Sequence, residues 1–455
     1  MKRRIVVGLG LILLGLLGGT EAQQASSPLT LQQAVKIALE KNPARKAALA
    51  DAHAASAQIK AAQSYLLPHV SFSETATRGN DPVYVFGSRL RQQSFTAANF
   101  ALNELNRPRP FGNFATRLEG RWNLFNSFAS WRGLSQAKLM DEAAAQQLNR
   151  AEQEIVFHVI AAYNEVLLSA KQLELAAQTE KTARAIVERS QSRFESGLVV
   201  ESDLLTAKVR LASRQQELIR ARNGHDLALA RLNSAMGVPV DANFQLAQEL
   251  SERALPAPVL ADLETQASMK RPDLKRIAAE GAAQQQAVAI ARSAFGPQVN
   301  AFAGWELDNP TLLAGGGGNN WAGGIEVKFD LFEGGARRAE ISRQKALQEK
   351  VNAIKQMAAD AVRLEVRQAY YDVDSNRQQV EVARASIAQA QDSLRINQDR
   401  YESGLITITD LLGAEDAARR SQNEYWEAVS RFHTSYANLE LASGALNPQS
   451  AVVMP

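Results

Sequence analysis

The chain has 455 residues, 51 basic and 48 acidic, for a formal net charge of only +3. Residues 1–22 hold three of those cations and one anion, so 48 bases face 47 acids in the remainder. The sequence pI near 9.0 is therefore no argument for a nucleic-acid partner, and the absence of cysteine rules out disulfides and a Cys-linked lipid.

The first 22 residues read as a secretory signal. Lys2, Arg3 and Arg4 form a basic start, Ile5 to Leu17 an apolar run, and Thr20-Glu21-Ala22 a cleavage site. No later segment offers the eighteen or so apolar residues that a membrane helix needs. Next comes a helical pattern from Thr30 to Asn42 that resumes from Pro43 to Leu66. Asn42 is placed as a cap and Pro43 as a first helical residue. Pro68 stops it, and a weakly alternating strand follows near Val70 and Phe72. A clearer strand has Leu118, Gly120, Trp122 and Leu124 on one face, with Arg117, Glu119, Arg121 and Asn123 on the other.

Ser127 to Phe194 contains no proline and a single glycine, Gly133. It predicts a helix of about 100 Å, too long to stand without lateral partners. A return helix follows, with Leu204/Leu205, Leu211/Ala212 and Leu218/Ile219 in heptad register. Residues 238–259, with Pro239, Pro256 and Pro258, read as a linker.

The remainder repeats that order. Arg193-Phe-Glu-Ser-Gly-Leu198, ending the first long helix, recurs as Arg400-Tyr-Glu-Ser-Gly-Leu405, an offset of 207 residues. Asn42-Pro43 matches Arg271-Pro272 at an offset of 229, so the first copy carries 22 extra residues between Phe72 and Trp122. The chain is thus two copies of one unit, 23–237 and 260–445, with a short, loose tail over 446–455. Copy two has strands over 299–307 and 321–331, an uninterrupted helix from Ala336 to Tyr401, and a return stripe through Leu411/Leu412, Tyr425/Trp426 and Phe432.

No motif points to chemistry. Gly315 to Gly318 lacks the Lys-Ser/Thr and helix of a phosphate loop and reads as a hairpin tip. His53, His69, His158, His225 and His433 are scattered, and no catalytic or metal-ligating constellation stands out, so no cofactor is expected. Gly197 and Gly404 read as helix C-caps. Leu198 and Leu405 are either cap contacts or exposed docking residues. Asp203 and Asp410 complement a helix dipole, or, if copies surround an axis, form a carboxylate ring that favours cations.

Four amphipathic strands cannot close a barrel, and open edges are not tolerated in lipid. Copies must pool their strands, with Trp122, Trp305 and Trp321 as interface aromatics. Here the chain resembles the TolC-like outer-membrane efflux protein family. The resemblance rests on Asn42-Pro43, Trp122-Asn-Leu-Phe125, Phe329-Asp-Leu-Phe332-Glu-Gly-Gly335 and the two Ser-Gly-Leu tips, and covers essentially the whole mature chain. It implies a mainly α fold: a long α-helical coiled-coil barrel with four strands per chain in a trimeric 12-stranded β-barrel.

It also implies outer-membrane localisation with a periplasmic extension. The partners would be a homotrimer, a periplasmic adaptor, an inner-membrane pump of RND or ABC type, and outer-membrane lipid. Gly197, Leu198, Gly404 and Leu405 fall on the family's adaptor-contact motif, and Asp410 on its constriction aspartate. A second acidic position of the family falls on Gly413 and a basic one on Ile406, which puts a double acidic ring and that basic latch in question.

The implied function is a passive exit duct for efflux or type I secretion. A periplasmic scaffold or adaptor without a pore is the alternative, but it would not need the strands. An exported enzyme lacks a site.

Overall fold

The structure, a computed structural model, describes residues 28–312 and 318–454. The signal over 1–22 and Gly315 to Gly317 of the glycine run lie outside the described residues.

Copy one opens with α1 (Leu31–Lys41) and α2 (Pro43–Ser64). Thr30 and Gln33 close a reciprocal capping box on α1. Asn42 ends α1 and accepts from the Ala44 N–H at 2.8 Å to start α2. Then come β1 (His69–Gly79), α3 (Pro82–Arg91), a 3-10 turn (Ala97–Phe100), α4 (Leu102–Asn106) and β2 (Phe111–Phe125). The 22 extra residues of copy one are thus part of a folded excursion between its two strands.

The long helix α5 (Ala129–Glu195) and its return α6 (Glu201–Met236) complete copy one. Copy two runs α7 (Leu260–Lys270), α8 (Pro272–Ser293), β3 (Gln298–Asn309), β4 (Gly318–Lys328), α9 (Ala336–Glu402) and α10 (Ile408–Ala442). Both long helices have 67 residues, or roughly 100 Å at ~1.5 Å per residue.

The four strands form one antiparallel sheet in the order β1-β2-β3-β4. Register places Phe72, Leu118, Trp305 and Trp321 in one row. The weakly patterned first strand has full length; Glu74 and Arg78 place charges in register with Val70 and Phe72 and so dilute its alternation.

The fourth strand stops at Lys328, short of the expected 331. Phe329, Leu331 and Phe332 lie past its end, exposed. The chain turns there, because Gly334 and Gly335 take positive φ (59° and 89°) and the Arg337 guanidinium holds the Asp330 carbonyl. Copy one makes the same turn with Ser127 (φ 55°) and Phe128 (φ 66°), a strained conformation for non-glycine residues.

The main core lies partway along the helices. There α1 and α7 flank the bundle, and Tyr163, Ile160, Leu232, Val366, Val429 and Leu439 are fully or nearly fully buried. Residues 238–259 carry no helix, yet they are pinned to this core. Leu250 is buried, and the Leu29 N–H donates to the Gln245 carbonyl at 2.7 Å.

Over its described residues, 446–454, the tail expected to be loose is packed. Leu446, Val452 and Val453 are buried in the same core, and the Leu446 N–H donates to the Glu440 carbonyl at 3.0 Å. Three apolar side chains in so short a segment gain more by covering the open end of α10 than by staying solvated.

Candidate functional site: the helical tips and the sheet

The two tips are built alike. Gly197 and Gly404 both have φ +69°, the left-handed conformation that ends a helix. Gly197 N–H donates to Phe194 and Leu198 N–H to Arg193; Gly404 N–H donates to Tyr401 and Leu405 N–H to Arg400, all within 3.0 Å. This double bond pattern satisfies carbonyls the helix end leaves open. It also points Leu198 and Leu405 outward, 71% and 74% exposed.

The aspartates differ. Asp410 is the third residue of α10 and closes a capping box. It accepts from the Thr407 hydroxyl at 2.7 Å and the Thr407 N–H at 3.0 Å. The Thr407 hydroxyl, then its backbone N–H, hold the Asp410 carboxyl below the usual carboxylate range. Asp203 sits in the first turn of α6, half-buried, and its cap residue Val200 has no side chain to reciprocate.

The hairpins lie side by side at this end. Ala207 of α6 packs with Tyr401, Ile408, Leu411 and Leu412 of copy two, and the Arg193 guanidinium stacks 5.4 Å over the Tyr401 ring. Between the return helices, Arg210 and Arg214 both pair with Asp416. Arg214 also holds Glu217 at 2.7 Å and is only 6% exposed at its side chain.

The sequence reading missed this cluster, because the heptad stripe assigned that seam to leucines. A signal existed in the repeat. At the 207-residue offset, Asp416 replaces Val209, while Ala417 and Ser421 replace Arg210 and Arg214. The complementary charges arose on different copies.

At the other end, Trp305 and Trp321 are cross-strand partners. Trp122 lies four residues toward the helices along β2, its indole N–H donating to the Leu66 carbonyl at 3.0 Å. These tryptophans share the sheet face that carries Val70, Phe72, Leu118, Ile325 and Val327. Glu74 and Thr116, hydrogen-bonded at 2.6 Å, form the next row beyond Trp305 on that face. The opposite face carries Arg117, Glu119, Arg121 and Glu306.

Both sheet edges, β1 and β4, lack a strand neighbour among the described residues, and Trp321 on β4 is 81% exposed. Among the described residues no group of His, Cys, Asp and Glu converges to hold a metal. No described helix is long and apolar enough to cross a membrane.

A half-polar, open-edged sheet at one end of a helical rod about 100 Å long defines a protomer of an outer-membrane channel with a periplasmic tube. The chain belongs to the outer membrane efflux protein family, whose model matches residues 34–238 and 263–445, one segment per copy.

It is 24% identical to the alkaline protease secretion protein AprF of Pseudomonas aeruginosa, over 92% of this chain and 85% of that one. It is 22% identical to outer membrane protein TolC of Escherichia coli, over all of this chain and 89% of that one. In fold it matches the Campylobacter jejuni CmeC outer membrane channel with a TM-score of 0.78, covering 98% of this chain and 96% of that one at 18% identity.

Proposed function

We propose that three copies of this chain form an outer-membrane exit duct, a passive conduit for a tripartite efflux or type I secretion system. The observation that carries the reading is the sheet: four strands with one apolar face and two unpaired edges. Such a sheet is stable in lipid only when closed, and three copies supply twelve strands.

The helices support the same assembly. Met357, Leu364 and Tyr371 form an exposed stripe of seven-residue spacing on α9. At the 207-residue offset they match Arg150, Phe157 and Asn164 on α5, where α10 packs and Asn164 bonds Thr434 at 3.3 Å. The counterpart of Thr434 is Leu227 on α6, 52% exposed against 60% for Tyr371. In the trimer α6 of one copy covers α9 of the next, as α10 covers α5 within the chain.

In this duct the tips are the periplasmic entrance. Gly197, Leu198, Gly404 and Leu405 dock a periplasmic adaptor that couples an inner-membrane pump. Asp410, with Asp203 behind it, sets the charge of the constriction. Arg210 and Arg214 hold Asp416 and so keep the two hairpins together in the resting state. Trp122, Trp305 and Trp321 sit at the lipid interface.

The test is physical. Detergent-extracted protein should be a trimer and open conductance in a planar bilayer. A water-soluble monomer without conductance would favour the scaffold reading.

A further inference from the structure

The excursion between β1 and β2 sits at the end of the sheet farthest from the helices, because β1 runs away from α2 and β2 returns toward α5. It folds onto the polar face. The Gln92 side-chain amide donates to the Gly112 carbonyl at 3.0 Å and to Asn113 at 2.7 Å. Asn113 donates to Asp308 at 2.5 Å, and Asn320 reaches the same carboxylate at 3.3 Å. Gln92, Asn113 and Asp308 are all buried.

Arg91, the last residue of α3, pairs with Glu306 at 2.9 Å, and Arg117 holds the other oxygen of that carboxylate at 2.6 Å. The packing is close. A Cβ on Gly318 of β4 would fall 1.5 Å from the Arg91 carbonyl oxygen, so the end of α3 lies directly on the sheet backbone. Phe86, Phe95 and Phe100 stack edge to face at 4.7 to 6.5 Å and stiffen the excursion.

We propose that this excursion, residues 80–110, is an exit-side constriction that sets the size of solute able to pass the outer mouth, with Arg91–Glu306 as its tether to the lumen wall. The inference rests on the trimeric barrel proposed above, in which the polar face lines the lumen. Twelve strands about 4.8 Å apart and tilted by ~40° close into a ring roughly 24 Å across. Three helices of ~10 Å width, one per copy on the inner face, obstruct most of that opening. The duct then has two narrow points, one at the tips and one at the exit. The copy-two hairpin between β3 and β4 is too short to supply the second.

The absence of cysteine makes the test direct. Ser71 is exposed on the polar face, opposite Glu119 and below the Arg117 row. A Ser71→Cys variant of the full chain, in intact cells, is treated from outside with a small charged maleimide and with one on a long polyethylene glycol chain. The small reagent should label and the long one should not. Replacing residues 82–107 by a short Gly-Ser link should bring the two rates together. Glu306→Gln, which keeps the strand and cuts the tether, should speed the long reagent alone.

If the long reagent labels equally fast with and without the excursion, or in Glu306→Gln as in its parent, the constriction is refuted. If the small reagent fails even in the shortened variant, Ser71 does not face an aqueous lumen, and the barrel reading falls with the inference.

Discussion

Gly444 lies against Arg271 so closely that a Cβ would stand 2.9 Å from the Arg271 backbone nitrogen. Its counterpart Gly237 lies against Asn42, with 2.6 Å from the same imagined Cβ to the Asn42 Cα. In each copy the residue that ends the return helix is wedged into the break before Pro43 or Pro272. The second wedge is reinforced because the buried Arg271 guanidinium also binds Asp273, Glu365 and the Ala442 carbonyl. Burial opposes charge here, yet the Arg271 partnership holds the Asp273 carboxyl below the usual carboxylate range.

Gly444→Ala should therefore destabilise the protein by about 2–4 kcal/mol, combining the left-handed φ of +71° with steric overlap. Gly413→Ala, in mid-helix with nothing within 4 Å of the added carbon, should be neutral or stabilising by up to about 1 kcal/mol. Denaturant unfolding of the two variants side by side reads the difference.

Asp410→Ala should raise resting conductance and weaken block by multivalent cations. The sign with pH follows from the depressed carboxyl. A group held below its ordinary pKa of 3.8 keeps its charge as pH falls through the mildly acidic range. Cation block should thus be constant from about pH 7 to 5 and disappear only below about pH 4. Loss of block near pH 6 would assign it to another group.

Asp416→Asn leaves the buried Arg214 without its interhelical carboxylate. Removing one partner of a largely buried pair costs up to about 3 kcal/mol, and here the loss is local to the tip. Conductance should rise and protease cleavage near the tips should quicken, while the melting temperature of the main core stays put. Unchanged conductance would show that the pair does not hold the entrance.

Leu227→Cys combined with Tyr371→Cys should give disulfide-linked dimers and closed trimers on oxidation. Neither single variant should do so, since the chain has no other cysteine. Only monomers in the double variant would refute the pairing of α6 with the neighbour's α9.

Gly404→Trp should abolish export with the trimer intact. Because it also strains the cap at φ +69°, Leu405→Asp is the cleaner variant. It keeps the glycine and replaces an exposed apolar contact by a charge. Export at the normal level in both variants would remove the docking role of this tip.

Much of this protein is legible in one dimension. Helix length, the strand alternation around Trp122 and Trp305, the Asn42-Pro43 break and the glycine-capped tips all depend on residues a few positions apart. So does the duplication, which is a comparison of the chain with itself. The strand near Val70 and Phe72 is faint because Glu74 and Arg78 put charges at positions where its alternation calls for apolar residues. The fourth strand read too long because Phe329 and Leu331 continue the alternation beyond the point where Gly334 and Gly335 turn the chain.

Caps, periodicity and turns are local physics, so the parts and their order can be read along the chain. The tertiary structure settles which side chains meet across the copies. It seats Arg214 opposite Asp416, wedges Gly444 against Arg271, buries Val452 and Val453, and lays α3 on the polar face of the sheet. Each of these pairings spans tens to hundreds of residues. Their register is set by how the two hairpins and the sheet pack, and no local pattern encodes that packing.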